Sequence, residues 1–237
     1  MSERPGHPVP RLYLVNLLCK APAAGGSSTR MPNKGDRGGA KTRARIAEVA
    51  QELFVGRGFD NVTIAEVAAA AGVSKVTVFS HFERKEDLLF DRLPDVVEIV
   101  RNAIRGRGDT IDAVEALRRA AVALGEERHV LSGLAGDIEP MMRTITASPA
   151  LIARLRTFAS EIETALTAEL EQDPTFSGDS ALAAALLVAA YRTIAVETVR
   201  RRLAGDDLAH LATTHRQRLN QAFDAVQHGI SGDHPAT

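Results

Sequence analysis

The residues of this chain that could support chemistry fall into two groups, and only one has a spacing to match. His129, His210, His215 and His228 are dispersed, with no pair four apart beside a glutamate, so they lack the ligand spacing of a metal site. No P-loop, no GxGxxG after a strand and no GxSxG occurs, which removes the phosphate cradle and the nucleophile elbow and leaves catalysis without support. The second group lies in TIAEVAAAAGVSKVTVFSHFERKED, residues 63–87. Read as a short helix, Lys75 to Phe82 turns Val78 and Phe82 inward and leaves Lys75, Val76, Thr77, Ser80 and His81 facing outward. Small hydroxyls, a branched apolar group and a cation are what a helix needs to bond base edges and phosphates in a DNA major groove. The chemistry is recognition.

That face needs a frame. Thr63 can cap a preceding short helix while Glu66 reaches back, closing a capping box ahead of Val67 and Ala68. Gly72 accepts the left-handed backbone of a tight turn, and Ser74 caps the next helix. Val73 fills the angle between the two. An ordinary αα-hairpin would use the same glycine and caps, so the flanks decide. Upstream, Ile46, Val49, Ala50, Leu53 and Phe54 mark an amphipathic helix, Lys41 to Arg57, ending at Gly58; downstream, Lys85 and Glu86 open another.

With these flanks, residues 41–90 resemble the DNA-binding domain of the tetracycline-repressor (TetR) family of bacterial transcriptional regulators: helix spacing, turn glycine, Phe82 and Lys85 all coincide. The resemblance implies DNA contacts from Arg43, Thr63, Ser74, Lys75, Val76, Thr77, Phe79, Ser80, His81 and Lys85, with Val76 where base contacts are made. The family often has tyrosine where this chain has Phe79, so a phosphate-bound hydroxyl is missing.

Composition fits the same picture. Over 237 residues aromatics are few, tryptophan is absent and β-type alternation is rare, which predicts an all-α protein. The net charge of −1 hides an asymmetry: residues 1–45 hold nine basic and two acidic side chains, an electrostatic footprint suited to phosphates. Residues 1–40 are rich in Pro, Gly and Ser, and read as a disordered basic arm in which Met31 is an alternative start. LYLVNLLC, residues 12–19, is short for a signal segment and contains Asn16. No stretch is read as long enough to span a membrane, and the lone Cys19 fits a cytoplasmic protein without a disulfide framework.

The chain then divides into a helix-turn-helix domain (41–87), a helical effector-binding and dimerisation domain (88–228) and a tail (229–237). A long helix is expected from Lys85 to Ile104, either bent or restarted at Pro94. Helices follow over Ile111 to Gly125, a broken one over Val130 to Ile145, one opened by Ser148 and Pro149 and ended by Asp173 and Pro174, then Ala181 to Leu203 and Leu208 to Val226. The first half of Ala181 to Leu203 is apolar nearly all round, which predicts burial on every side.

The resemblance implies a homodimer made by the last two helices, for which the pattern offers Leu182, Leu186, Leu208, Leu211, His215, Leu219 and Val226. It also implies an effector pocket, with Leu93, Val97, Arg101, Leu117, Ala121, Met141, Met142, Phe158, Ile162, Leu187 and Tyr191 as candidate walls. Arg101 and Tyr191 stand out, because a buried polar group on an apolar face needs a partner. The partners implied are double-stranded operator DNA, a second copy of the chain and a small apolar or amphipathic effector, an acyl-thioester or drug-like molecule, with no cofactor and no membrane. Two alternatives remain: a TetR-fold DNA-binding protein without an effector, and a helical-bundle enzyme with an incidental helix-turn-helix.

Overall fold

A computed structural model of the protein describes residues 34–91 and 93–230. The expectations for residues 1–33 and 231–237, including most of the basic arm, Cys19 and the end of the tail, lie outside the described residues. Among those described there are nine α-helices, two short 3-10 turns and no strand.

The first three helices, α1 (Lys34–Arg57), α2 (Ile64–Ala70) and α3 (Lys75–His81), form the head. α1 starts at Lys34 instead of Lys41, inside the stretch expected to be disordered; helix propagation from a well-packed body carries it back through a polar segment. It ends where Gly58 takes φ +83. The capping box of α2 is complete: the Thr63 hydroxyl accepts from the Glu66 N–H at 3.3 Å, and the Thr63 N–H donates to the Glu66 carboxylate at 2.8 Å. Gly72 turns at φ +63, and the Ser74 hydroxyl accepts from the Thr77 N–H at 3.0 Å to start α3. Ile46, Ala50, Phe54, Val67, Val78 and Phe82 close the core, with Phe59 edge-on to Phe54 at 4.9 Å.

The long helix expected from Lys85 does not form. A 3-10 turn, Glu86–Leu88, buries Leu88 and Leu89 in the head core, and α4 (Leu93–Arg105) begins afresh with Pro94 in its first turn. There a missing N–H costs nothing, so the proline opens a helix instead of kinking one.

The body continues with α5 (Ala113–Glu126), α6 (Glu139–Ala147), α7 (Pro149–Glu171), α8 (Ser180–Leu203) and α9 (Leu208–Ile230). α8 lies between α7 and α9, α5 packs on α9, and α4 packs on α5 and α7. Between α5 and α6 the chain turns through Val130–Ser132 and a left-handed Gly133, where a Cβ would meet Val199 at 2.8 Å. Arg202 of α8 donates to the carbonyls of Gly133, Ala135 and Gly136, fastening this loop to the bundle.

α6 joins head to body. Met141 and Ile145, with Leu151 of α7, belong to the head core, and the Ser148 hydroxyl meets the Asp60 carboxylate at 3.1 Å while Arg154 donates to Asp87 at 2.8 Å.

α8 departs from expectation twice. It is buried on one side only, with Leu182 50% and Val196 62% exposed and Leu186 also outside. Its length and apolar character would also suffice to cross a membrane, contrary to the expectation that no stretch is long enough; here it packs against α7 and α9.

Candidate functional site

α3 projects from the head with its N-terminal turn open. Val78 holds it to the core while Lys75, Val76, Phe79 and Ser80 lie exposed and Thr77 is half-buried. Val76 and Phe79, three apart on the helix, are 78% and 54% exposed and make one uncovered apolar patch. The hydroxyls beside them are occupied. Ser80 donates to the Thr77 carbonyl at 2.8 Å, and the Ser74 and Thr77 hydroxyls hydrogen-bond each other at 2.8 Å. Behind α3, the Thr63 backbone N–H holds the Glu66 carboxyl down at about 2, with the Arg57 guanidinium (2.6 Å) and the Thr63 hydroxyl (2.8 Å) adding to it.

Two of the residues assigned to DNA by sequence are turned inward. Lys85 donates to the Phe59 carbonyl at 2.6 Å with its ammonium 4.1 Å from the Phe59 ring centre, and burial lowers its pKa. The ammonium lies between the Phe54 and Phe59 rings and is bonded to the Phe59 carbonyl, so Lys85 pins the 59–60 loop. Arg43 pairs with Asp91 at 2.7 Å, lies over the Phe82 ring at 4.2 Å and donates to the His81 carbonyl. It satisfies a carbonyl left open at the end of α3.

A cleft of about 1780 Å³ opens between α4, α5, α6, α7 and α8. Eight of the eleven candidate wall residues line it: Leu117, Ala121, Met141, Met142, Phe158, Ile162, Leu187 and Tyr191. Leu93 lies in α4, and its side chain is outside what the structure describes. Val97 and Arg101 are not in the wall; α4 presents Val96, Ile99 and Val100 instead. With α4 restarted at Leu93, Arg101 turns toward α7, pairing with the buried Glu169 there at 3.2 Å and with Glu98 of its own helix at 2.7 Å. Arg105 joins the same carboxylate at 2.7 Å.

Phe90, Leu124, Leu155, Leu166 and Val188 also line the cleft and are missing from the candidates drawn from sequence; their helical spacing is legible, but not which of two apolar faces looks into a void. Tyr191 is the wall residue with an unmet need. Its hydroxyl is buried without a hydrogen-bond partner, and burial raises its pKa.

The seam expected to pair two copies faces inward. Leu211, His215, Leu219 and Val226 are buried within the chain, against α5 and α8, and only Leu208 of that set is partly exposed. Leu182 and Leu186 of α8 do lie outside, as does Val196. Among the described residues no three His, Cys, Asp or Glu side chains cluster as a metal site would require.

Residues 46–91 match the family described as bacterial regulatory proteins, tetR family, so the head of this chain is a domain of that family. Over 126 residues the chain is 29% identical to the HTH-type transcriptional regulator TcmR of Streptomyces glaucescens, covering 52% of this chain and 56% of that protein. Over 90 residues it is 30% identical to the HTH-type transcriptional regulator TtgR of Pseudomonas putida, 37% and 42% respectively. The chain thus matches about half the length of these relatives. Whole-chain likeness is one of fold: the SmeT–triclosan complex (TM-score 0.52, 19% identity, 78% of this chain and 91% of that one) and Thermus thermophilus FadR in complex with lauroyl-CoA (0.52, 24%, 82% and 98%) share the all-α arrangement.

Proposed function

We propose that the protein is a homodimeric DNA-binding transcriptional regulator, a repressor that α3 places on a near-palindromic operator and that a small apolar or amphipathic ligand releases. The observation that carries this reading is α3 itself, a short capped helix held by Val78 and Phe82 with Lys75, Val76, Thr77, Phe79 and Ser80 presented outward on a tetR-family head.

The dimer is assigned to the outer face of α8, where Leu182, Leu186 and Val196 are uncovered apolar groups that a second copy would cover. The effector is assigned to the cleft, in keeping with the triclosan and lauroyl-CoA complexes of SmeT and FadR. Coupling follows from α6: Met141 and Ile145 pack in the head core and also line the cleft, so a ligand that displaces them moves the head, and each state favours one partner.

The test is fluorescence anisotropy with duplexes from the region upstream of its own gene and with scrambled duplexes. Tight, salt-dependent and sequence-selective binding by a dimer is expected; equal affinity for both duplexes would remove the regulator reading.

A further inference from the structure

Beside the Lys75 ammonium, the outward face of α3 has few free hydroxyl donors and much apolar surface. Ser80 donates to the Thr77 carbonyl, and the bond between the Ser74 and Thr77 hydroxyls engages one of their two protons. Lys75 is a flexible cation on the first turn. The largest accessible apolar surfaces are those of Val76 and Phe79, which the fold leaves in water.

In the major groove a single base edge offers an apolar group, the C5-methyl of thymine. We propose, resting on the regulator reading above, that Val76 and Phe79 recognise thymine methyl groups, so that the operator half-site is specified by two thymines rather than by a bidentate guanine or adenine contact. The spacing agrees. Residues three apart on a helix hold their Cβ atoms about 5–6 Å apart, and bases along one strand rise about 3.4 Å. The two thymines therefore stand one or two steps apart. The benzene ring of Phe79, lacking a hydroxyl, would lose its hydration without leaving a polar atom unpaired, which makes it suited to a methyl and unsuited to a phosphate.

The experiment begins with the full chain and a pool of randomised duplexes, from which the bound fraction is enriched and sequenced. Each thymine of the enriched half-site is then replaced by uracil, which keeps every hydrogen-bonding group and deletes only the methyl, and affinities are measured by anisotropy. At two thymines the wild type should bind about fourfold more weakly, the worth of one buried methylene-sized group. Val76→Ala should be indifferent to uracil at one of them and Phe79→Ala at the other. Both residues are exposed, and circular dichroism checks that the variants fold. An enriched site in which uracil is tolerated everywhere would overturn the methyl readout while leaving the regulator standing. A pool that shows no enrichment would overturn both.

Discussion

Thr198 and His215 fix one another across the α8–α9 interface. The Thr198 hydroxyl lies 2.9 Å from both the Ile194 carbonyl and His215 Nδ1, so it can donate to the carbonyl while accepting from a proton on Nδ1. Nε2 is buried without a partner, beside Gly125, where a Cβ would meet the ring at 3.3 Å. Burial first, and the Arg218 charge second, lower the His215 pKa from 6.5 to about 4.

That shift has a sign. Because the folded pKa lies below the unfolded one, the unfolded chain binds more protons between pH 4 and pH 6.5. The neutral imidazole's contribution is therefore complete above pH 6.5 and drains away as pH falls toward 4, by about 3 kcal/mol in all. Thermal unfolding followed from pH 7.5 to 4.5 should show this loss, and His215→Asn, which keeps a donor for Thr198 and cannot titrate, should flatten the profile. Parallel profiles for the two proteins would remove His215 as the titrating group.

The two apolar faces of the last helices should fail differently. Leu186→Asp places a charge on the exposed face of α8 and should give a folded monomer by light scattering. Leu219→Asp puts a charge into a site with no exposure and should unfold the protein, since an unpaired buried charge costs several kcal/mol. A folded dimer from Leu186→Asp would move the interface elsewhere.

Lys75 and Lys85 should separate anchoring from folding. Lys75→Ala is expected to lower the slope of log affinity against log salt by about 1.8, one phosphate contact from each subunit of the dimer, at unchanged stability. Lys85→Ala removes the bond to the Phe59 carbonyl and should cost about 1–2 kcal/mol in urea denaturation with the salt slope intact. The reverse pattern would return Lys85 to the DNA surface.

Glu169 tests the tie between α4 and α7. Its buried carboxylate accepts from Arg101 and Arg105, and Glu169→Ala should cost about 2–3 kcal/mol in urea denaturation. Tyr191→Phe should leave stability unchanged or raise it by up to about 1 kcal/mol, because it deletes a hydroxyl that already lacks a partner. A large loss on Tyr191→Phe would mean that the hydroxyl is satisfied in solution.

The head is legible in the sequence because its signals are local. Thr63 and Glu66 lie three residues apart, Gly72 and Ser74 two, and a cap or a turn is decided within that distance. What escapes depends on partners far along the chain. Arg101 looks like a pocket residue because Glu169, which claims it, lies 68 residues away. The seam of Leu211, Leu219 and Val226 is a true apolar face, but periodicity identifies a face without saying whether the chain's own α5 or a second copy covers it. Pro94 tells of an interruption, and only the burial of Leu88 and Leu89 decides that it is a beginning.

The double membership of α6 bears on how such proteins can be recombined. The backbone passes from head to body near residue 90, and a designer exchanging heads between two regulators would cut there. Met141, Ile145 and Leu151 would then stay behind with the old body, as would the Ser148 and Arg154 partners of Asp60 and Asp87. The grafted head would meet a foreign surface and a vacated core position. A working chimaera has to carry two separate segments, the chain through Asp91, the partner of Arg43, and the stretch from Glu139 to Arg154, as one exchangeable part.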